Sequence, residues 1–110
     1  MSLPDGTNLY ETEHRAYHLE RESFRIAELR LSPSQFVPWH KHTEISDTFY
    51  LLEGSMHLFF QDPKEEVNLE PGQSQVVGAG RPHLVTNGGT SSLSFLIMQG
   101  VGIYDYVPLV

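Results

Sequence analysis

Between residues 38 and 47 the chain reads Pro38-Trp39-His40-Lys41-His42-Thr43-Glu44-Ile45-Ser46-Asp47. In an extended strand the side chains at i and i+2 share a face. His40 and His42 therefore present both imidazoles to one side if this stretch is a strand. Neutral imidazole nitrogen binds a divalent metal at about 2.0–2.1 Å, and two rings one pleat apart can reach a single ion. Two surface histidines on a half-exposed strand give the same pattern, so the meaning of His-x-His depends on its surroundings.

Working outward, turn signals recur on both sides: Ser32-Pro33-Ser34, Glu53-Gly54-Ser55, Asp62-Pro63, Glu70-Pro71-Gly72, Gly78-Ala79-Gly80-Arg81-Pro82 and Asn87-Gly88-Gly89. Gly and Pro at such spacing punctuate short strands. The runs between them predict strands over 24–31, 35–42, 48–52, 56–60, 67–69, 74–77, 83–86 and 93–99. That pattern is all-β, an antiparallel sandwich or barrel. Residues 9–23 are polar and read at most as a weak helix. We expect one domain over 1–110, with 1–7 loose, 24–99 forming the barrel core and 100–110 a tail.

The chain has 110 residues, 39% of them hydrophobic, and a formal net charge of −7. That length allows one core, and the negative charge opposes phosphate backbones and anionic headgroups. Nucleic acid and membrane are thus excluded as expected partners, and a small-molecule ligand is favoured. There is no cysteine, which removes disulfides, thiolate nucleophiles and iron–sulfur clusters. Residues 1–10 carry no secretory pattern, and a cytoplasmic location is the expectation.

The ordered series His40-x-His42, Asp47, Gly54, then Gly72, Gly78-x-Gly80, His83 and Asn87 resembles the two signature motifs of the cupin superfamily. The first motif runs Gly, five residues, His-x-His, three or four residues, Glu, six residues, Gly. The second runs Gly, five residues, Pro-x-Gly, two residues, His, three residues, Asn. The resemblance implies a double-stranded β-helix, or jelly-roll, barrel with His40, His42 and His83 turned inward toward a metal and a carboxylate completing the set. Nitrogen-rich ligation of that kind suits Fe, Ni, Zn, Cu or Mn and not Mg or Ca.

Three positions depart from the motifs. Ser34 stands for Gly, Gly78 for Pro, and Asp47 for Glu. The last is the consequential one, because aspartate is one methylene shorter. Asp47 ligates directly after a small shift, acts through a water, or leaves a three-histidine site. Glu44, in phase with His42 if the strand continues, is the reserve carboxylate.

Positions in phase with these residues predict the pocket: Phe49, Leu51, Val85 and Phe95, with Ile97 as a further candidate. This describes an aromatic, apolar cavity suited to a small, mainly apolar or aromatic molecule, with Arg25, Arg30 and Arg81 as the cations to check. Trp39 is expected to point away from the metal into core packing. His14, His18 and His57 read as surface histidines. Consecutive apolar positions in 48–52 and 93–98 suggest strands covered on both faces, hence a homodimer whose interface the tail 103–110 could join. Three functions fit: a metal-dependent oxygenase, isomerase or lyase; a non-catalytic binding or sensory barrel; or a metal-free barrel with packed histidines.

Overall fold

The computed structural model describes residues 9–109. The expectation for residues 1–7 lies outside the described residues. Two antiparallel five-stranded sheets face each other. One runs β1 (His14–Glu20), β2 (Phe24–Leu31), β9 (Leu93–Gly100), β4 (Ser46–Glu53), β7 (Ser74–Val77). The other runs β10 (Val107–Pro108), β3 (Phe36–Lys41), β8 (His83–Asn87), β5 (Met56–Phe60), β6 (Glu65–Leu69). This is the jelly-roll barrel; no helix occurs among the described residues.

The weak helix expected in 9–23 is a correction: His14–Glu20 is a strand paired antiparallel with β2. A register shift between Tyr17 and Leu19 interrupts its alternation, so the segment shows no clean two-residue period to read. β10 was also not anticipated; it adds Val107 and Pro108 to the edge of β3.

Inward positions form rows across the sheets. In the first sheet Arg25 pairs with Gln99 and Gln99 with Asp47; the next rows are Ala27–Ile97–Phe49 and Leu29–Phe95–Leu51, ending in Leu31–Leu93. In the second sheet His40 pairs with His83, and Val37 with Val85, which pairs with Leu58. One end of the barrel is therefore filled by buried aliphatic and aromatic side chains, and the other gathers Arg25, Gln99, Asp47, His40, His42 and His83, all buried, with Val77 and Phe60 paired beside Asp47 and His83.

Two local devices set this arrangement. In β3 the register slips between Val37 and His40, so three steps along β3 match two along β8. Pro38 has no N–H to give to a ladder, which suits a bulge. The slip moves His40 onto the inner face that Val37 occupies, where strict alternation would have placed Trp39. Trp39 is instead half-buried and outside the core cluster, which corrects the expectation of core packing for it. At the end of β4, Gly54 has φ +86°, and a Cβ there would come within 2.9 Å of the Leu93 backbone. Only glycine suits both demands.

Candidate metal centre

His40 and His42 come from β3 and its exit, His83 from the start of β8 and Asp47 from β4. One ligand atom from each lies within 4.8 Å of the others. All four side chains are buried, His83 and Asp47 to within 1%.

The hydrogen bonds fix the tautomer of every ring. His40 Nδ1 donates to the Pro38 carbonyl (2.7 Å), His42 Nδ1 to that of Asp105 (2.6 Å), and His83 Nδ1 to that of Arg81 (2.9 Å). A carbonyl only accepts, so each Nδ1 carries hydrogen and each Nε2 of a neutral ring is a lone pair. Asp105 is held in place by Thr43, whose backbone N–H donates to Asp105 Oδ1 at 2.8 Å.

Asp47 Oδ2 stands 2.9 Å from His42 Nε2 and 3.1 Å from His83 Nε2. A carboxylate oxygen facing two ring lone pairs is repulsive unless positive charge sits among them, supplied by extra protons on the rings or by one cation. Ligand atoms at right angles on an ion with bonds of about 2.1 Å are about 3 Å apart, which is the spacing of Asp47 Oδ2 from the His42 and His83 rings. The donor set therefore fits a divalent transition metal held by His40, His42, His83 and Asp47.

Without an ion the charges settle unevenly. Burial dominates at His40 and, with the positive charge of His83, pushes its pKa down to about 3. Burial also opposes charge on His42, but the hydrogen bond and charge of Asp47 outweigh it and raise its pKa. Burial would raise Asp47; the hydrogen bonds from His42 and His83 prevail and hold it well below the usual carboxylate range. A permanently ionised carboxylate and a ring kept neutral are both ready ligands.

A cavity reaches this centre from the side of His40 and His42. Phe49, Val85, Phe95 and Ile97 line it, whereas Leu51 is fully buried in the core and absent from the lining. The free interior is small, on the order of two water molecules.

Sequence reasoning missed the tyrosines at the mouth. Tyr106 stacks on His40 with ring centroids 4.4 Å apart and planes 15° apart, and Tyr10 stacks on Tyr106 at 6.2 Å. Tyr104 is buried, 5.4 Å from the His42 ring. These tail residues thus pack on their own barrel, while Ile103 and Leu109 stay exposed. The tail's alternating Tyr104-x-Tyr106 was the available signal.

Of the three arginines to check, only Arg25 enters the cavity lining. Its guanidinium lies 3.7 Å over the Tyr104 ring and its Nε donates to Gln99 Oε1 at 2.8 Å. Arg30 instead meets Glu13 and Ser94, and Arg81 meets Glu65. The cavity lining combines aromatic and apolar side chains with two arginines, Arg15 and the buried Arg25, and with His40, His42 and Gln99. Glu44 is exposed and outside the cluster: β3 ends at Lys41, so the phase that would have aligned Glu44 with His42 is not kept. His18 pairs with Glu28 at 3.0 Å and His57 with Glu66 at 3.2 Å, both away from the centre.

A family model described as the cupin domain matches residues 27–99. Germin-like protein subfamily 3 member 1 of Arabidopsis thaliana is 34% identical over 88 residues, covering 73% of this chain and 42% of that protein. The chain thus spans about two fifths of the length of this curated relative. Among solved structures, an uncharacterized conserved protein with a double-stranded β-helix domain from Klebsiella pneumoniae has TM-score 0.77 at 19% identity, covering 96% of this chain and 88% of that one. The polyketide cyclase RemF from Streptomyces resistomycificus gives 0.74 at 24%, covering 87% and 70%. Lactobacillus farciminis oxalate decarboxylase gives 0.72 at 20%, covering 80% and 27%. At these identities the structural likeness bears on the fold.

Proposed function

The chain belongs to the cupin domain family, and from that premise we propose that it is a metal-dependent enzyme acting on a small, mainly apolar or aromatic molecule that carries an oxygen donor. The observation that supports this most is the set of three imidazoles whose Nδ1 atoms are all engaged by backbone carbonyls, leaving three Nε2 lone pairs and Asp47 Oδ2 around one point. A structural ion is closed off by protein ligands, whereas this centre has a side open to a cavity. An oxalate decarboxylase and a polyketide cyclase share the fold, which favours catalysis over passive binding.

When bound, a divalent ion would supply Lewis acidity toward a carbonyl, enolate or water oxygen, chemistry shared by isomerases, lyases and oxygenases. The chain's own residues do the rest. Phe49, Val85, Phe95 and Ile97 exclude water and strengthen local electrostatics. The narrow interior admits only the oxygen-bearing end of a ring-sized substrate, whose body would rest against Tyr10 and Tyr106 at the mouth. Asp47 and His83, behind the rings that line the cavity, hold the centre without meeting substrate.

Metal analysis of the purified chain tests this reading. Reconstitution with Fe, Ni, Zn, Cu or Mn should give one equivalent of bound ion and a raised melting temperature for those that prefer the native state. His42→Ala should lose the ion. No stoichiometric metal in the wild type, or full retention in the variant, would overturn the proposal.

We also propose a homodimer in which a second copy covers the outer face of β4 and β7, where Tyr50, Leu52 and Val76 are exposed. A monomer by light scattering at micromolar concentration would sink it.

A further inference from the structure

The row Arg25–Gln99–Asp47 crosses three adjacent strands, β2, β9 and β4, in direct register. None of the three is more than 6% exposed. Gln99 Nε2 donates to Asp47 Oδ1 at 3.0 Å, and Arg25 Nε donates to Gln99 Oε1 at 2.8 Å. A glutamine amide could face either way, but arginine has only donors. Arg25 therefore requires Oε1 on its own side, which turns Nε2 toward Asp47. Arg25 is in turn stacked on Tyr104, whose neighbour Asp105 offers its carbonyl to His42.

The two oxygens of Asp47 thus have separate partners: Oδ1 takes the Gln99 amide, and Oδ2 faces His42 and His83. Taking as given that the cluster holds a metal, we propose that Gln99, locked by Arg25, is a positioning residue that tethers Oδ1 of Asp47 and so keeps Oδ2 aimed at His42 and His83. The tether matters because the side chain at position 47 is a methylene shorter than the glutamate of the motif it resembles. A short carboxylate free to turn about its last bond would present either oxygen, or both, or swing away. One hydrogen bond from a locked amide removes that freedom and favours ligation through a single oxygen. Partners of this kind change metal affinity by about 10–100-fold in other sites.

Cobalt(II) provides the probe, with affinity read by competition and ligand geometry by the visible absorption of the loaded protein. Gln99→Leu should weaken Co(II) binding about 10–100-fold and alter the visible bands. It also strands the Arg25 Nε donor, so the paired variant Arg25→Met with Gln99→Leu removes both groups and should show the same loss. Adding Asp47→Glu to that pair should restore part of the affinity, since a longer carboxylate needs no tether; a residue that only filled space would give no such rescue. A folded variant with wild-type affinity and spectrum overturns the tether. If neither variant folds, the wild-type chain decides by NMR: the Gln99 side-chain amide should exchange slowly with solvent and shift when Zn(II) is added, and an unmoved resonance overturns the proposal. Failure of the wild type to bind Co(II), or binding that survives His42→Ala, would instead overturn the metal reading itself.

Discussion

The two ends of the barrel are built by the same strands with the same inward alternation, yet they bury opposite chemistries. At one end Leu31 of β2, Leu93 of β9 and Leu51 of β4 have no exposed surface and no polar duty. At the other, the inward positions of those three strands are Arg25, Gln99 and Asp47, and β8 adds His83. Apolar burial is favourable wherever it occurs, at about 25 cal/mol per Å², so the first end explains why the barrel holds together. Burial of charge and imidazole is costly unless every group is partnered. Six buried polar side chains gathered at one end, each hydrogen-bonded to another or to a carbonyl, mark where stability is given up for a task.

That division can be broken by perturbing one end and reading the other. Leu31→Ala, at the apolar end, should lower the stability of metal-free protein by about 2–5 kcal/mol, measured by urea unfolding with chelator present. Stoichiometry of bound metal and its affinity should stay as in the wild type under native conditions. Parallel loss of affinity would show that the two ends are one mechanical unit.

The apolar end was the more legible in sequence. The spans 24–31, 56–60 and 74–77 coincide with β2, β5 and β7, because alternation between clear turn residues reflects half-buried strands with little else competing. β1 escaped because its register shift destroys the two-residue period. The polar end was legible only in its ligands, through motif spacing. Of its supporting groups Arg25 stood out only as a cation to check and Gln99 not at all, since Gln99 and Arg25 sit 52 and 74 residues from Asp47 and Gln99 respectively in their hydrogen bonds. Only sheet register makes them neighbours, and sequence alone does not give register. Nor does it give the slip at Pro38 that decides whether Trp39 or His40 faces inward.

A second, smaller test uses protons. His40, held neutral by burial with a pKa near 3, resists a proton that the unfolded chain takes up near 6.5. Unfolding therefore binds a proton between these values, and metal-free protein should lose stability steadily as pH falls from about 6.5 toward 3. His42 has the opposite sign: its raised pKa contributes stability below about 6.5 that is lost as pH rises through the folded value. Stability of the metal-free form should thus peak near pH 6.5. Metal binding should displace the proton that Asp47 stabilises on His42, and titration calorimetry in buffers of different ionisation enthalpy should detect its release near neutrality. Flat stability from pH 4 to 8 would contradict the buried charges assigned to this end.

The least effect is expected at Glu44, and its smallness is informative. By sequence phase Glu44 could have replaced Asp47 as the carboxylate at the centre. In the structure, Ile45 takes the buried position after the strand ends and Glu44 is exposed, with its backbone and Cβ lying against Gly102. Glu44→Gln removes a charge from solvent and none from the cluster, so Co(II) affinity should change by less than about twofold, whereas Asp47→Asn should lower it by far more. A comparable loss in both variants would mean that the exposed loop swings inward on metal binding, and the boundary between the polar end and the surface would have to be redrawn at residue 44.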